Sequence, residues 1–237
     1  MTTKLIIFDF DGTLGDTRRN IVTTMQMTIA ELKLPTRSDD ECASTIGLPL
    51  AGCFKALFPD LRDEEIQCCA DTYRRIFDEN LKAIIPQPFP KVAETLFALK
   101  KKGFTLTIAS SRSKASLVEL VRDMGISDCF SLLIGANDVE NAKPNPEPVL
   151  KTIEMLNQLL SKGLIDERQA LEQGDILHFK TGQALVVGDM AVDILMGANA
   201  GAKTCGVTWG NGSREELQQA GADYLIDNMD ELLEIIA

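Results

Sequence analysis

At 237 residues the chain is long enough for one large α/β domain or a core carrying an insertion, and it can bury a full core without covalent or metal staples. Its apolar and charged fractions are ordinary for a soluble globular protein, while a formal charge of −11 argues against nucleic acid or an anionic membrane as partner. A single histidine, His178, excludes a histidine-based triad or zinc cage. The six cysteines (Cys42, Cys53, Cys68, Cys69, Cys129 and Cys205) show no paired CxxC spacing and read as reduced thiols. No apolar run approaches the ~18 residues of a membrane helix. The chain enters its first strand without room for a secretory leader, so a cytoplasmic location is expected.

The first element is Leu5 to Phe8, an apolar run that reads as a buried strand of a parallel sheet. Asp9 falls where this strand stops and Asp11 on the loop beyond, with Gly12 allowing a sharp turn or a close approach. Two acids at the end of a buried strand are costly unless a cation or proton joins them, which suggests a nucleophile and a general acid/base sharing a divalent metal. The plainer reading is an Asp-Gly turn with Thr13 or Thr17 capping the next helix.

The sheet pattern then lapses. Thr17 to Leu34 has the periodicity of an amphipathic helix stopped by Pro35, and Ser38 can cap a short helix through Ile46. A break at Gly47-Leu48-Pro49 precedes another short helix to Phe58, and a longer one is expected from Asp63 to Lys82. These four helices suggest a small bundle, residues 16–86, inserted after the first strand. The proline-rich stretch Pro86 to Pro90 is stiff and returns the chain to the main domain, expected to comprise residues 1–15 and 87–237.

From Lys91 helix and strand alternate. Helices are expected over Val92 to Lys102, from Ser113 to Gly125, from Asn145 to Leu160, after Asp189 to Gly201, and from Asp230 to Ile236. Strands are expected at Phe104 to Ala109, Ser131 to Gly135, Ala184 to Val187, Thr204 to Val207 and Tyr224 to Ile226. This alternation implies a doubly wound, Rossmann-like parallel sheet with ligands at the carboxyl ends of its strands. Those ends carry Asp9 and Asp11, Ser110, Lys143 and the pair Asp189 and Asp193, the last two one helical turn apart. Singly, each has a bland explanation as a helix cap or a solvated charge. Together and in this order they point to one site.

The motifs DFDGTLGDT (Asp9 to Thr17), TIASS ending at Ser110 and Ser111, KPNPE from Lys143, and GDMAVD (Gly188 to Asp193) resemble those of the haloacid dehalogenase-like hydrolase superfamily. The resemblance spans nearly the whole chain and is close to the phosphatase branch that includes phosphoglycolate phosphatases and β-phosphoglucomutases. It places a cap where the helical insert lies. By this resemblance Asp9 is the nucleophile, Asp11 the general acid/base, and Lys143 a charge that steadies nucleophile and phosphoryl oxygens. It further implies Mg²⁺ held by Asp9, Asp189 and the backbone of Asp11, with Asp193 nearby as an outer ligand or orienting metal-bound water. Ser110, the backbone of Phe10 and Ser111, and the turn at Gly47 would contact substrate. The presence of Asp11 argues against dehalogenation. The turn lacks the cap lysine of phosphonatases, Lys55 lying further along the helix. With few charges, the turn Gly47 to Leu50 fits a small or partly apolar leaving group.

Two points depart from the family or stay open. Leu156 to Gln183 is longer than the family usually places there, reading as surface elaboration, a dimer contact or a flap. Arg112, beside Ser110, is either a second substrate cation or a surface residue. The expected function is a Mg²⁺-dependent phosphatase for small phosphorylated metabolites, as a monomer or homodimer. A sugar phosphomutase, or a binding protein on the same scaffold, are the alternatives.

Overall fold

The computed structural model describes residues 3–81, 86–164 and 178–236. Strand β1 (Leu5–Phe8) is followed by a two-residue strand β2 (Gly15–Asp16) and then by helices α1 (Arg18–Glu31), α2 (Asp39–Ala43), α3 (Leu50–Leu57) and α4 (Asp63–Leu81). Strand β3 (Gln87–Pro88) leads to α5 (Val92–Lys101), β4 (Thr105–Ala109), α6 (Lys114–Asp123), β5 (Leu132–Ile134) and α7 (Glu147–Ser161). The chain continues through β6 (Ala184–Gly188), α8 (Ala191–Ala200), β7 (Lys203–Val207), α9 (Arg214–Gln219), β8 (Tyr224–Ile226) and α10 (Leu232–Ile235).

Six strands form one parallel sheet in the order β5-β4-β1-β6-β7-β8, the doubly wound arrangement expected. Alternation along β1 explains its burial on both sides. Ile6 and Phe8 join the cluster under α5, α6 and α10, whereas Leu5 and Ile7 join the cluster under α7 and α8. Register then sets the site. Phe8 pairs with Ile108 of β4 and Val187 of β6, so Asp9, Ser110 and Asp189 emerge near one another at the carboxyl ends of three adjacent strands.

Local signals explain where the helices start. Ser38 and Glu41 form a reciprocal capping box on α2, and Ser113 accepts a bond from the Ser116 amide at the head of α6. The Asn145 side chain accepts from the Glu147 amide at the entry to α7. Thr17 departs from expectation: its hydroxyl makes no cap bond and instead donates to Asp11 at 2.6 Å. Helices α1 to α4 pack on each other around Met25, Phe54 and Tyr73, an apolar cluster separate from the two that flank the sheet.

The sequence pattern did not reveal the antiparallel pairing of β2 with β3, which brackets the helical insert with a short ribbon. Helix α9 was also unexpected; it is short and highly charged, yet Ser213 and Glu216 cap it reciprocally. Of the long segment Leu156 to Gln183, α7 runs to Ser161 and Asn157 bonds both backbone groups of Phe179, while residues 165–177 lie outside the described residues. All six cysteines are free and five are buried.

Phe54 is fully buried and meets Tyr73 edge-on, their ring centroids 6.2 Å apart. Phe54→Ala should cost about 3–5 kcal/mol, read as a lower denaturation midpoint.

Candidate active site

Asp9 leaves β1 with its amide bonded to the carbonyl of Val187, 2.8 Å away, which directs its carboxylate to the edge shared by β1 and β6. Lys143 reaches this carboxylate from the loop before α7. Its ammonium donates to Asp9 Oδ1 at 2.5 Å and to Asp193 Oδ1 at 2.7 Å. The lysine side chain is only 4% exposed, so its charge is held by these two acids rather than by water. The pairing raises the Lys143 pKa although burial opposes it. Asp193 is fixed in turn by the Met190 amide, which donates to its other oxygen.

Asp189 is completely buried and is oriented by three donors. Thr13 Oγ1 donates to Oδ1 at 3.0 Å, and the Asn211 amide and side chain donate to Oδ2 at 2.7 and 3.1 Å. Gly12 makes this approach possible: it has φ +86°, and a Cβ there would sit 2.2 Å from Asp189 Oδ2. Thr13 and Asn211 were not identified from sequence as site residues. Their only sequence signal is proximity to motif residues, Thr13 within DGT and Asn211 after a glycine that has no room for a side chain against Asp189.

Asp11 lies apart from the other carboxylates. Arg112 grips it with Nε at 2.9 and 2.8 Å from its two oxygens. The guanidinium also lies 4.9 Å from the centre of the Phe77 ring on α4, bridging the sheet edge and the helical insert. This burial removes the surface alternative for Arg112. Ser111 makes a second bridge, its hydroxyl donating to the Gly47 carbonyl at 2.8 Å. Ser110 Oγ accepts from the Arg112 amide, and Ser110, Ser111 and Gly47 all line one cavity with Asp9 and Asp11. Asp9, Asp11, Gly47, Ser110, Ser111, Lys143, Asp189 and Asp193 therefore all lie in this region. Within it, Asp9, Asp189, Asp193 and Lys143 form one cluster and Asp11 with Arg112 another.

The three clustered carboxylates offer oxygens within 4.8 Å of one another. Burial raises the Asp9 pKa well above the usual range, with its carboxylate neighbours adding to the effect and Lys143 opposing it. Burial, reinforced by Asp193, pushes Asp189 up to about 7. Among the described residues, four acids face two cations here, leaving a formal deficit of two positive charges. A hard divalent cation fits both that deficit and the all-oxygen donor set.

The chain belongs to the haloacid dehalogenase-like hydrolases: the family model matches residues 6–207. It is 30% identical to the pyrophosphatase PpaX of Bacillus pumilus, covering 99% of this chain and 97% of that protein. It is also 30% identical to the phosphoglycolate phosphatase of Aquifex aeolicus, covering 87% and 85% of the two chains. A solved structure described as a predicted phosphatase from Clostridium acetobutylicum superposes with a TM-score of 0.82 at 22% identity, covering 100% of this chain and 99% of that one.

The raised Asp189 pKa sets the sign of two effects. The folded, metal-free protein holds a proton that the unfolded chain releases near 3.8, so this group's stabilising contribution is lost as pH rises through about 7. Metal competes with that proton, so affinity should rise with pH through about 7 and binding should release protons. Calorimetry in buffers of different ionisation enthalpy should find release at pH 6.5 and much less at pH 8.5.

Proposed function

We propose that this chain is a divalent-metal-dependent phosphatase acting on phosphomonoesters through an aspartyl-phosphate, with Mg²⁺ as the ion. The observation that carries this reading is Asp9 held by Lys143 beside Asp189, at the edge where β1 and β6 end. We further take residues 16–86 as the cap and residues 1–15 and 87–237 as the core. The free thiols and the anionic surface fit a cytoplasmic enzyme for small phosphorylated metabolites.

Asp9 and Asp189 would hold the metal, joined by the Asp11 backbone carbonyl as the family resemblance implies. When bound, the ion offsets repulsion between the attacking carboxylate and the phosphate dianion. Asp9 attacks phosphorus in line, forming its O–P bond as the ester P–O bond breaks. Asp11 would give a proton to the departing alkoxide, for which one of its oxygens must first leave Arg112 and take up that proton, and would then accept one from the water that attacks the aspartyl-phosphate and frees Asp9. Lys143 holds the nucleophile in position and adds positive charge where negative charge collects on phosphoryl oxygens. Asp193 acts through Lys143, holding the ammonium from the opposite side. Ser110 supplies a hydroxyl at the phosphoryl position, and Arg112 with Thr17 fixes the Asp11 carboxylate in the cavity wall.

An assay with Mg²⁺ and a simple phosphate ester should show turnover without any added bisphosphate, which separates a phosphatase from a mutase. Chelation should abolish it. Asp9→Asn should lower kcat by at least about a thousandfold. The variant should melt at or above the parent temperature without metal, because the crowded cluster loses one charge while Lys143 keeps Asp193. Retention of near-parent turnover would remove Asp9 from the nucleophile role.

A further inference from the structure

The cavity above Asp9 has a volume of about 420 Å³, and its two walls differ in chemistry. The wall at the sheet edge is polar, formed by Asp9, Asp11, Ser110 and their neighbours. The opposite wall comes from the helical insert, where Met25, Ile46, Leu48, Leu50, Tyr73 and Phe77 face the cavity. A phosphoryl group docked on Asp9 leaves its ester substituent to meet this second wall.

Among the described residues, the two cations that line the cavity, Arg112 and Arg74, are each paired with a carboxylate, Arg74 only through an exposed pair. Arg112 places Nε against both oxygens of Asp11, Nη2 at 2.8 Å from Oδ1 and Nη1 at 3.3 Å from Ser116 Oγ, with its face toward Phe77. Arg74 pairs with Asp71 at 2.6 Å, and Asp78 lines the same wall. A second anion on the substrate would therefore lose its water against apolar side chains and carboxylates, which is unfavourable without a partner. An uncharged hydrocarbon group has the opposite balance, gaining by burial against Met25, Leu48 and Phe77. The volume lies within the ~300–1,000 Å³ common to small-molecule clefts, ample for a ring.

We infer that the substrate is a phosphomonoester of an uncharged, largely apolar alcohol of about the size of an aryl-methyl or branched alkyl group. A carboxylate-bearing ester such as phosphoglycolate, or pyrophosphate with its second phosphoryl group, fits the cavity poorly. This inference rests on the phosphatase reading and narrows it by substrate class.

The test compares kcat/KM of the Mg²⁺-loaded full chain on benzyl phosphate, ethyl phosphate, phosphoglycolate and inorganic pyrophosphate. The three esters all release primary alkoxides, so differences among them report chiefly the cavity. Benzyl phosphate should exceed ethyl phosphate and phosphoglycolate by at least about tenfold. Leu48 is 39% exposed, so a longer side chain there can reach water. Leu48→Arg should shift the ratio of phosphoglycolate to benzyl phosphate by about tenfold or more toward phosphoglycolate. Faster turnover of phosphoglycolate or pyrophosphate than of benzyl phosphate, no preference among the esters, or a ratio unmoved by Leu48→Arg would overturn the substrate class while leaving a phosphatase in place. Hydrolysis of none of the four would overturn both.

Discussion

A buried deficit of positive charge organises this molecule. Asp9, Asp11, Asp189 and Asp193 sit near the ends of β1 and β6, and Lys143 and Arg112 are the cations bonded to them. Taking several carboxylates out of water costs several kcal/mol each unless attraction and hydrogen bonds compensate. The compensation is divided: Lys143 serves Asp9 and Asp193, Arg112 and Thr17 serve Asp11, and Asp189 has only neutral donors. The raised pKa of Asp189 expresses what neutral donors cannot offset. A site left short of charge in this way is poised to take a divalent cation.

The sheet makes this crowding geometrically inevitable. Neighbouring parallel strands lie about 4.8 Å apart, so residues one step beyond paired positions come close however distant they are in sequence. Lys143 comes from the loop between β5 and α7 and still reaches Asp9, 2.5 Å away. Opposite this edge stand the helices α1 to α4, tied to it by three kinds of contact: the β2–β3 ribbon, the Ser111–Gly47 hydrogen bond, and Arg112 against Phe77. The last links the residue that holds Asp11 to helix α4 of the insert.

The fold was legible because its sequence signals are redundant. The buried strands are apolar runs, several helix starts carry Ser or Asn caps, and motif residues fall at strand ends. The ribbon was not legible, since two-residue strands carry no periodicity. Helix α9 has one sequence signal, the reciprocal cap of Ser213 and Glu216, and no apolar stripe to support it. At the site, residue types named the candidates but not their partners. Asp193 stands with Asp9 and Asp189 as expected, but its bonds to the Lys143 ammonium and the Met190 amide are contacts that the sequence does not show. Arg112 was undecided between surface and site because a single sequence carries no information on burial. Asn211 supports Asp189 from the loop after β7, a contact that only the folded chain creates.

The central claim is that the carboxylates of Asp9 and Asp189 close around one divalent ion beneath the reacting phosphate. A crystal grown with Mn²⁺, with the ion located by its anomalous scattering, tests this most directly. One ion about 2.1 Å from an oxygen of each carboxylate is the predicted result. An ion bound elsewhere while Mn²⁺ supports hydrolysis, leaving these two side chains free of metal, would contradict it.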